Sequence, residues 1–215
     1  MSMRYYLYIS DAKVDMLLAQ IDPGFGGRRT TEAGLSVKFL SFRRSVEGAV
    51  PDRVARLERV LAHLREQGQT GSVDRPGPYF GGSLPMQWGP LRGGNGASSV
   101  YFGGRTARTI VGLGGAGAHV IGGSAPQDPV FAPSSTPALL IGLADTFAAD
   151  GIEAPADPSA LAWVHSAGRV LRGPAQSVEF VARRLVEGAS PYPELDPRPD
   201  MRVLLGSPLY VALLD

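Results

Sequence analysis

The sequence predicts an α+β fold. It is read as a single domain over residues 1–215, with an antiparallel or mixed sheet built on a glycine-rich β-meander and packed by helices. Three observations carry that prediction. Between Ser98 and Ser124, short runs of Val, Ile, Tyr and Phe alternate with glycine clusters, the pattern of strands joined by tight reversals. Stretches of helical period lie both before and after this region. Strands and helices do not alternate in the regular order that a parallel βαβ sheet requires.

Bulk composition narrows the class. The chain has 215 residues, 44% hydrophobic and 19% charged, values of a globular protein long enough to bury roughly 70% of its unfolded surface. A formal net charge of +1 gives no electrostatic case for nucleic acid or an anionic membrane. No apolar run approaches the length of a membrane span, and MSMRYYLYIS has no long apolar signal core, so a cytoplasmic protein is expected. The absence of cysteine excludes disulfides, thiolate nucleophiles and cysteine-ligated metals. Lys13 and Lys38 are the only lysines against an abundance of Arg, Ala, Gly and Pro, a bias that points to a GC-rich bacterial genome.

Taken in order, Arg4–Ser10 alternates Tyr5, Leu7 and Ile9 with Tyr6, Tyr8 and Ser10, the period of a strand. Ser10 or Asp11 can cap a helix bearing Val14, Leu17, Leu18 and Ile21, and Asp22-Pro23-Gly24 ends it. Gly26–Ala33 reads as a loop and Leu35–Phe42 as a second strand. Pro51 suits the first turn of a helix reaching about Gln67, with Val54, Leu57, Leu61 and Leu64 on one face. Arg53, Arg56 and Arg59 lie elsewhere on it and read as a solvated face. Residues 68–97, rich in Gly and Pro yet holding Tyr79, Phe80, Met86 and Trp88, read as a loop packed onto the domain.

Val100–Phe102, Thr109–Val111 and His119–Ile121 are the expected strands of the meander. Gly112, Gly114 and Gly117 imitate a dinucleotide fingerprint, but Pro126 leaves no room for the helix that would hold a pyrophosphate. A glycine-rich hairpin is therefore expected there, with no cofactor. Helices are predicted from Thr136-Pro137, Asp157-Pro158 and Gly173-Pro174; the last carries Val178, Val181 and Leu185 on one face and turns Phe180 away. Met201–Leu205 and Leu209–Leu214 read as two apolar runs split by Gly206-Ser207-Pro208, tied into the sheet.

RYYLYISDAKVDMLLAQI, LPMQWGP, VYFGG, RTIVGLGG, ASPYPELDP and LLGSPLYVALLD form separated blocks over essentially the whole chain. Together they resemble an actinobacterial protein family of unknown function. The resemblance implies no activity, cofactor or catalytic residue. The opening block is also similar to the start of other bacterial proteins, some encoded beside signalling or defence genes, which implies an interaction role.

Candidate site residues are few. Arg105 and Arg108 stand between glycine-rich turns, where guanidiniums and turn N–H groups could grip a phosphate or carboxylate; exposed hairpin arginines are the plain alternative. Asp11 and Lys13 open the first helix as a possible base and its electrostatic partner, or as an ordinary N-terminal acid with a neighbouring lysine. His119 follows the glycine run and could move protons. Trp88 is a ligand-stacking candidate or a core anchor. His63, His119 and His165 are scattered with no paired spacing, so no metal site is expected. No nucleophile motif completes a hydrolase.

These readings lead to a non-catalytic interaction or ligand-sensing module in bacterial signalling or defence, binding a protein partner or a further copy of itself. An enzyme on a small anionic metabolite is the first alternative, with Arg105 and Arg108 holding the anion and Asp11 or His119 moving protons. The second is a structural subunit that buries its Tyr6/Tyr8 face and the aromatic loop of residues 68–97 in a homo-oligomer.

Overall fold

The computed structural model describes residues 4–22, 49–92, 99–122 and 135–214. Contacts divide the chain into two compact units: Met1–Ile9 with Thr70–Asp215, and Ser10–Gln69. The expected strand Leu35–Phe42 and the loop before it lie outside the described residues.

In the smaller unit, helix α1 (Asp11–Ile21) and helix α2 (Ala49–Glu66) follow the period of their apolar residues. Val14 and Leu18 of α1 are buried, as are Leu57, Val60, Leu61 and Leu64 of α2, three or four residues apart on one face. The arginines of α2 recur at every third position and meet acids of α1. Arg53 pairs with Asp11 at 2.8 Å, Arg56 with Asp15, and Arg59 with Asp22 at 3.3 Å. They form a cross-helix ladder, each rung worth about 1 kcal/mol or less because the groups are partly solvated.

The larger unit holds a mixed seven-stranded sheet: β1 (Tyr5–Ile9), β2 (Thr70–Ser72), β3 (Tyr79–Leu91), β4 (Ser99–Arg105), β5 (Thr109–Ala116), β6 (Gln176–Ala189) and β7 (Arg202–Leu213). β3, β4 and β5 form the meander. β5 then runs parallel to β7, β7 antiparallel to β6, and β6 returns antiparallel to the first half of β3. Five strands thus close into a ring, β3-β4-β5-β7-β6, with β1 and β2 extending it beside β7 and β3. This connectivity, with its helices between β5 and β6, is that of an OB-type Greek-key barrel.

Period-2 alternation fills the ring. Phe80, Leu84, Met86, Val100, Phe102, Val111, Leu113, Val178, Phe180, Ala182 and Leu204 belong to one buried cluster. Their alternate neighbours Tyr101, Val203 and Leu205 face a second cluster with Leu139, Leu143, Val164 and Leu171. Those partners come from helix α3 (Thr136–Ala149), helix α4 (Ala160–Ser166) and the segment after α4. Helices therefore cover the outer face of β4, β5 and β7.

Five local expectations change. His119–Ile121 is not the third strand of the meander: Gly117–His119 forms a 3₁₀ turn and Val120 makes a single bridge to Tyr8, while residues 79–91 pair with β4 in its place. Residues 79–91 are a strand because their even positions supply Phe80, Leu84 and Met86 to the interior. Gln176–Ala189 is a strand because Val178, Phe180 and Ala182 share one side at period 2. Phe180, out of place on a helix, was the clue. Gly112 and Gly114 lie within β5 and not at a hairpin tip. A Cβ at Gly112 would lie 2.1 Å from the Tyr101 hydroxyl, and one at Gly114 would lie 2.4 Å from Leu139, so these glycines make room for close packing. β7 runs through Gly206-Ser207-Pro208 unbroken. Its register against β6 shifts at Val181/Ala182, so the proline sits at a bulge, where its missing N–H costs no ladder bond. The tying of the C-terminal runs into the sheet is as expected.

Candidate functional site

One end of the barrel carries a cluster of charged side chains. The tip between β4 and β5, Thr106–Arg108, carries a clasp. Thr106 and Thr109 both donate their hydroxyls to Asp74 Oδ1, at 2.7 and 2.8 Å. The Thr106 hydroxyl in turn accepts from the backbone N–H groups of Arg108 and Thr109, at 3.1 and 2.9 Å. Threonine at the start of the turn satisfies donors that the tight reversal leaves over. Val73, next to Asp74, is buried in the barrel cluster, so the clasp is anchored in the core.

Each member of the clasp adjoins an arginine in sequence: Arg75 follows Asp74, Arg105 precedes Thr106, and Arg108 precedes Thr109. All three arginines are exposed. None of their guanidiniums lies within ion-pair distance of a carboxylate among the described residues. Beside them the rim continues in compensated form. The Arg108 carbonyl accepts from Arg202 N–H at 2.9 Å, and Glu187 sits between Arg202 at 2.9 Å and Arg184 at 3.0 Å. Arg198 holds Asp200 at 3.1 Å. That hydrogen bond keeps the Asp200 carboxyl below its ordinary value, and the charge of Arg108 adds a smaller pull in the same direction. Six arginines against Asp74, Glu187 and Asp200 leave the rim at +3, in a chain whose net charge is +1.

The other sequence candidates are dispersed. His119 lies past the opposite end of β5, its ring edge-on to Tyr8 at 5.9 Å; it does not join Arg105 and Arg108. Trp88 stacks on Phe102 at 5.7 Å, and its indole N–H donates to Gln176 at 2.8 Å. Asp11 is engaged by Arg53, while Lys13 Nζ donates to the Ser10 hydroxyl at 3.3 Å. Burial lowers the Lys13 ammonium to about 8. Both belong to the smaller unit. There Leu17, Ile21, Val60, His63 and Leu64 help to line a cavity of about 120 Å³, well below metabolite size. Among the described residues no group of three or more His, Asp or Glu could hold a metal ion, and no helix is long and apolar enough to cross a membrane.

The structure also brings together a pair that sequence reasoning left apart. His165 Nε2 lies 2.8 Å from Asp196 Oδ1, and Tyr192 packs edge-on to the His165 ring at 5.3 Å. A pair 31 residues apart shows no spacing signal. The only hint was a carboxylate within ASPYPELDP, in a stretch otherwise made for turns.

A second network joins β1 to β6 and β7. Arg4 grips Glu179 with two hydrogen bonds of 3.1 Å, and the Tyr210 hydroxyl donates to Glu179 at 3.0 Å. Burial, followed by the Glu179 charge, raises the Tyr210 phenol; burial raises Tyr101 as well.

Comparison with known proteins adds no activity to this geometry. No curated protein and no solved structure matches the chain. The chain belongs to the family of unknown function DUF7019, whose sequence pattern matches residues 4–215.

Proposed function

We propose that the chain is a non-catalytic interaction module whose arginine rim docks an acidic protein segment, in a bacterial signalling or defence setting. The observation that carries this reading is the clasp. It holds three guanidiniums that have no ion-pair partner among the described residues on a backbone tied into the core, so little backbone entropy is left to lose on binding. The rim arginines stand exposed at a hairpin tip, which suits a complementary acidic surface better than an enclosed metabolite. The outer β4–β5 face, where OB-type barrels take oligonucleotides, is occupied by α3 and α4. The barrel interior is filled by Phe80, Phe102 and Phe180.

The test is fluorescence anisotropy with a labelled poly-Glu peptide at low ionic strength. Wild-type protein should bind, and affinity should fall as salt rises. Arg105→Ala with Arg108→Ala should weaken binding by about tenfold or more, from roughly 1 kcal/mol per lost charge-assisted contact. No binding by the wild type, or equal binding by the double variant, overturns the proposal. Tight binding of tripolyphosphate without poly-Glu favours the small-anion alternative, and preference for a single-stranded oligonucleotide favours nucleic acid.

Self-association is a second reading; the expected Tyr6/Tyr8 face cannot serve it because Tyr8 is buried in the barrel cluster, and another face is favoured by one observation. Tyr5 is 68% exposed and Leu214 39%, and Tyr5 pairs with Leu213 in the ladder, so the two meet at one end of the sheet. Sedimentation velocity on Tyr5→Ser with Leu214→Ser tests it; an assembly that persists unchanged refutes this site.

A further inference from the structure

We propose that the His165–Asp196 pair is a positioning latch that sets the β6–β7 connection, residues 190–201, and thereby completes the arginine rim. The inference rests on the rim reading above and adds its regulation.

The connection needs an anchor. Pro193, Glu194, Leu195 and Pro197 through Asp200 are exposed, Leu195 at 70%. A stretch so rich in proline and charge has little apolar area with which to hold itself. Its outer half is tied down through α4. The Asp196 side chain is 2% exposed, and His165, its partner, is 12% exposed. Tyr192 covers the His165 ring and accepts a hydrogen bond of 3.2 Å from Asp157 N–H. Asp157 is itself fixed by the Ser159 N–H at 2.8 Å, and Ser159 caps α4. The inner end of the same connection reaches the rim. Met201 is buried, Ser190 N–H donates to Met201 O at 3.0 Å, and Arg202 N–H to Arg108 O at 2.9 Å. Arg198 and Asp200 lie between the two ends.

The latch also has the mark of a contact poised to open. Among the described residues Asp196 Oδ2 is buried with no hydrogen-bond partner, and a carboxylate oxygen in that state raises the free energy of the closed form. Removing one partner leaves the other stranded, so the closed arrangement depends on both side chains. Once released, the connection carries Arg198, Asp200 and the start of β7 away from Arg108, and the rim loses one of its sides.

The experiment pairs hydrogen–deuterium exchange with poly-Glu anisotropy on the full chain. His165→Phe fills the same space without the hydrogen bond. His165→Gln keeps a donor near the Nε2 position. His165→Phe is expected to raise deuterium uptake in residues 190–201 with uptake in β3–β5 unchanged, and to weaken poly-Glu binding roughly three- to tenfold. His165→Gln should return both towards wild type, which a purely space-filling role would not do. Unchanged uptake in 190–201 overturns the latch. Raised uptake with unchanged poly-Glu affinity overturns its link to the rim. If His165→Phe unfolds, Asp196→Asn, which keeps an acceptor, is compared with Asp196→Ala by the same readouts; equal uptake and affinity in these two overturns the proposal. Failure of the rim reading shows separately, as no poly-Glu binding by the wild type, while uptake still reports on the latch.

Discussion

Replacing Asp74 with alanine perturbs both the fold and the rim, and its size follows from the clasp. Asp74 Oδ1 accepts two hydroxyls in different environments. Thr106 is partly exposed, so water replaces its lost partner at a cost of about 0.5–1 kcal/mol. Thr109 is only 2% exposed, and its hydroxyl becomes a buried donor without an acceptor, a penalty of about 1–3 kcal/mol. Asp74 itself is exposed, so little desolvation is recovered on removing it. The sum, roughly 1.5–4 kcal/mol, corresponds to a fall of about 3–16 °C in Tm for a unit of this size. Asp74→Asn keeps an acceptor in place and should cost about 1 kcal/mol or less. Differential scanning calorimetry near neutral pH separates the two. A D74A protein melting within about 1 °C of wild type refutes the account, and so does a D74N protein that melts as low as D74A.

The remaining expectations concern packing and pH. Tyr101→Phe removes a buried hydroxyl that has no hydrogen-bond partner among the described residues, so Tm should hold or rise; a clear fall shows that the hydroxyl is satisfied. Gly112→Ala places a methyl 2.1 Å from that hydroxyl and should cost about 1–3 kcal/mol, with part recovered in the Tyr101→Phe background, as a calorimetric double-mutant cycle will show. Because burial raises Tyr101 and Tyr210 above 10.0, only the unfolded chain ionises them once the pH passes 10. Stability is full below that value and should decline above it by about 1.4 kcal/mol per pH unit for each tyrosine. Urea titrations of Tyr101→Phe should show the flatter slope. Lys13 has the opposite sign. Its native value of about 8, against 10.5, means that stability rises between those values and is lost as pH falls towards 8. Lys13→Met should therefore gain most near neutrality, and equal gains at neutral and alkaline pH count against a buried ammonium.

The apolar periods of this chain were readable where one face of an element decides burial. Val14 and Leu18, or Leu57, Leu61 and Leu64, recur at helical spacing whatever they pack on, and Val100–Phe102 and Thr109–Val111 could only be strands between glycines. The α+β class, two strands of the meander and the strand character of the C-terminal apolar runs follow from such local signals. Reading failed where a residue's surroundings come from distant sequence. Glycine and proline in residues 79–91 suggested a loop because local propensity counts against them, yet pairing on both edges with β4 and β6 outweighs that cost. Gln176–Ala189 satisfied both periods in part, and only the space beside Phe80 shows that Phe180 belongs inside.

The candidate site divides in the same way. Arg105 and Arg108 were legible as charges at a turn, because a guanidinium is exposed almost wherever the chain puts it. Asp74, Thr106 and Thr109, which make the turn rigid, were not, since a hydroxyl shows no sign in sequence of the acceptor it will find some 30 residues away. The separation of His119 from the arginines and the meeting of His165 with Asp196 have the same origin. Side-chain identity and short-range period are properties of the string. Ring closure, strand order and the company a polar group keeps depend on long-range pairing, whose free energy is defined only once all the strands are in place.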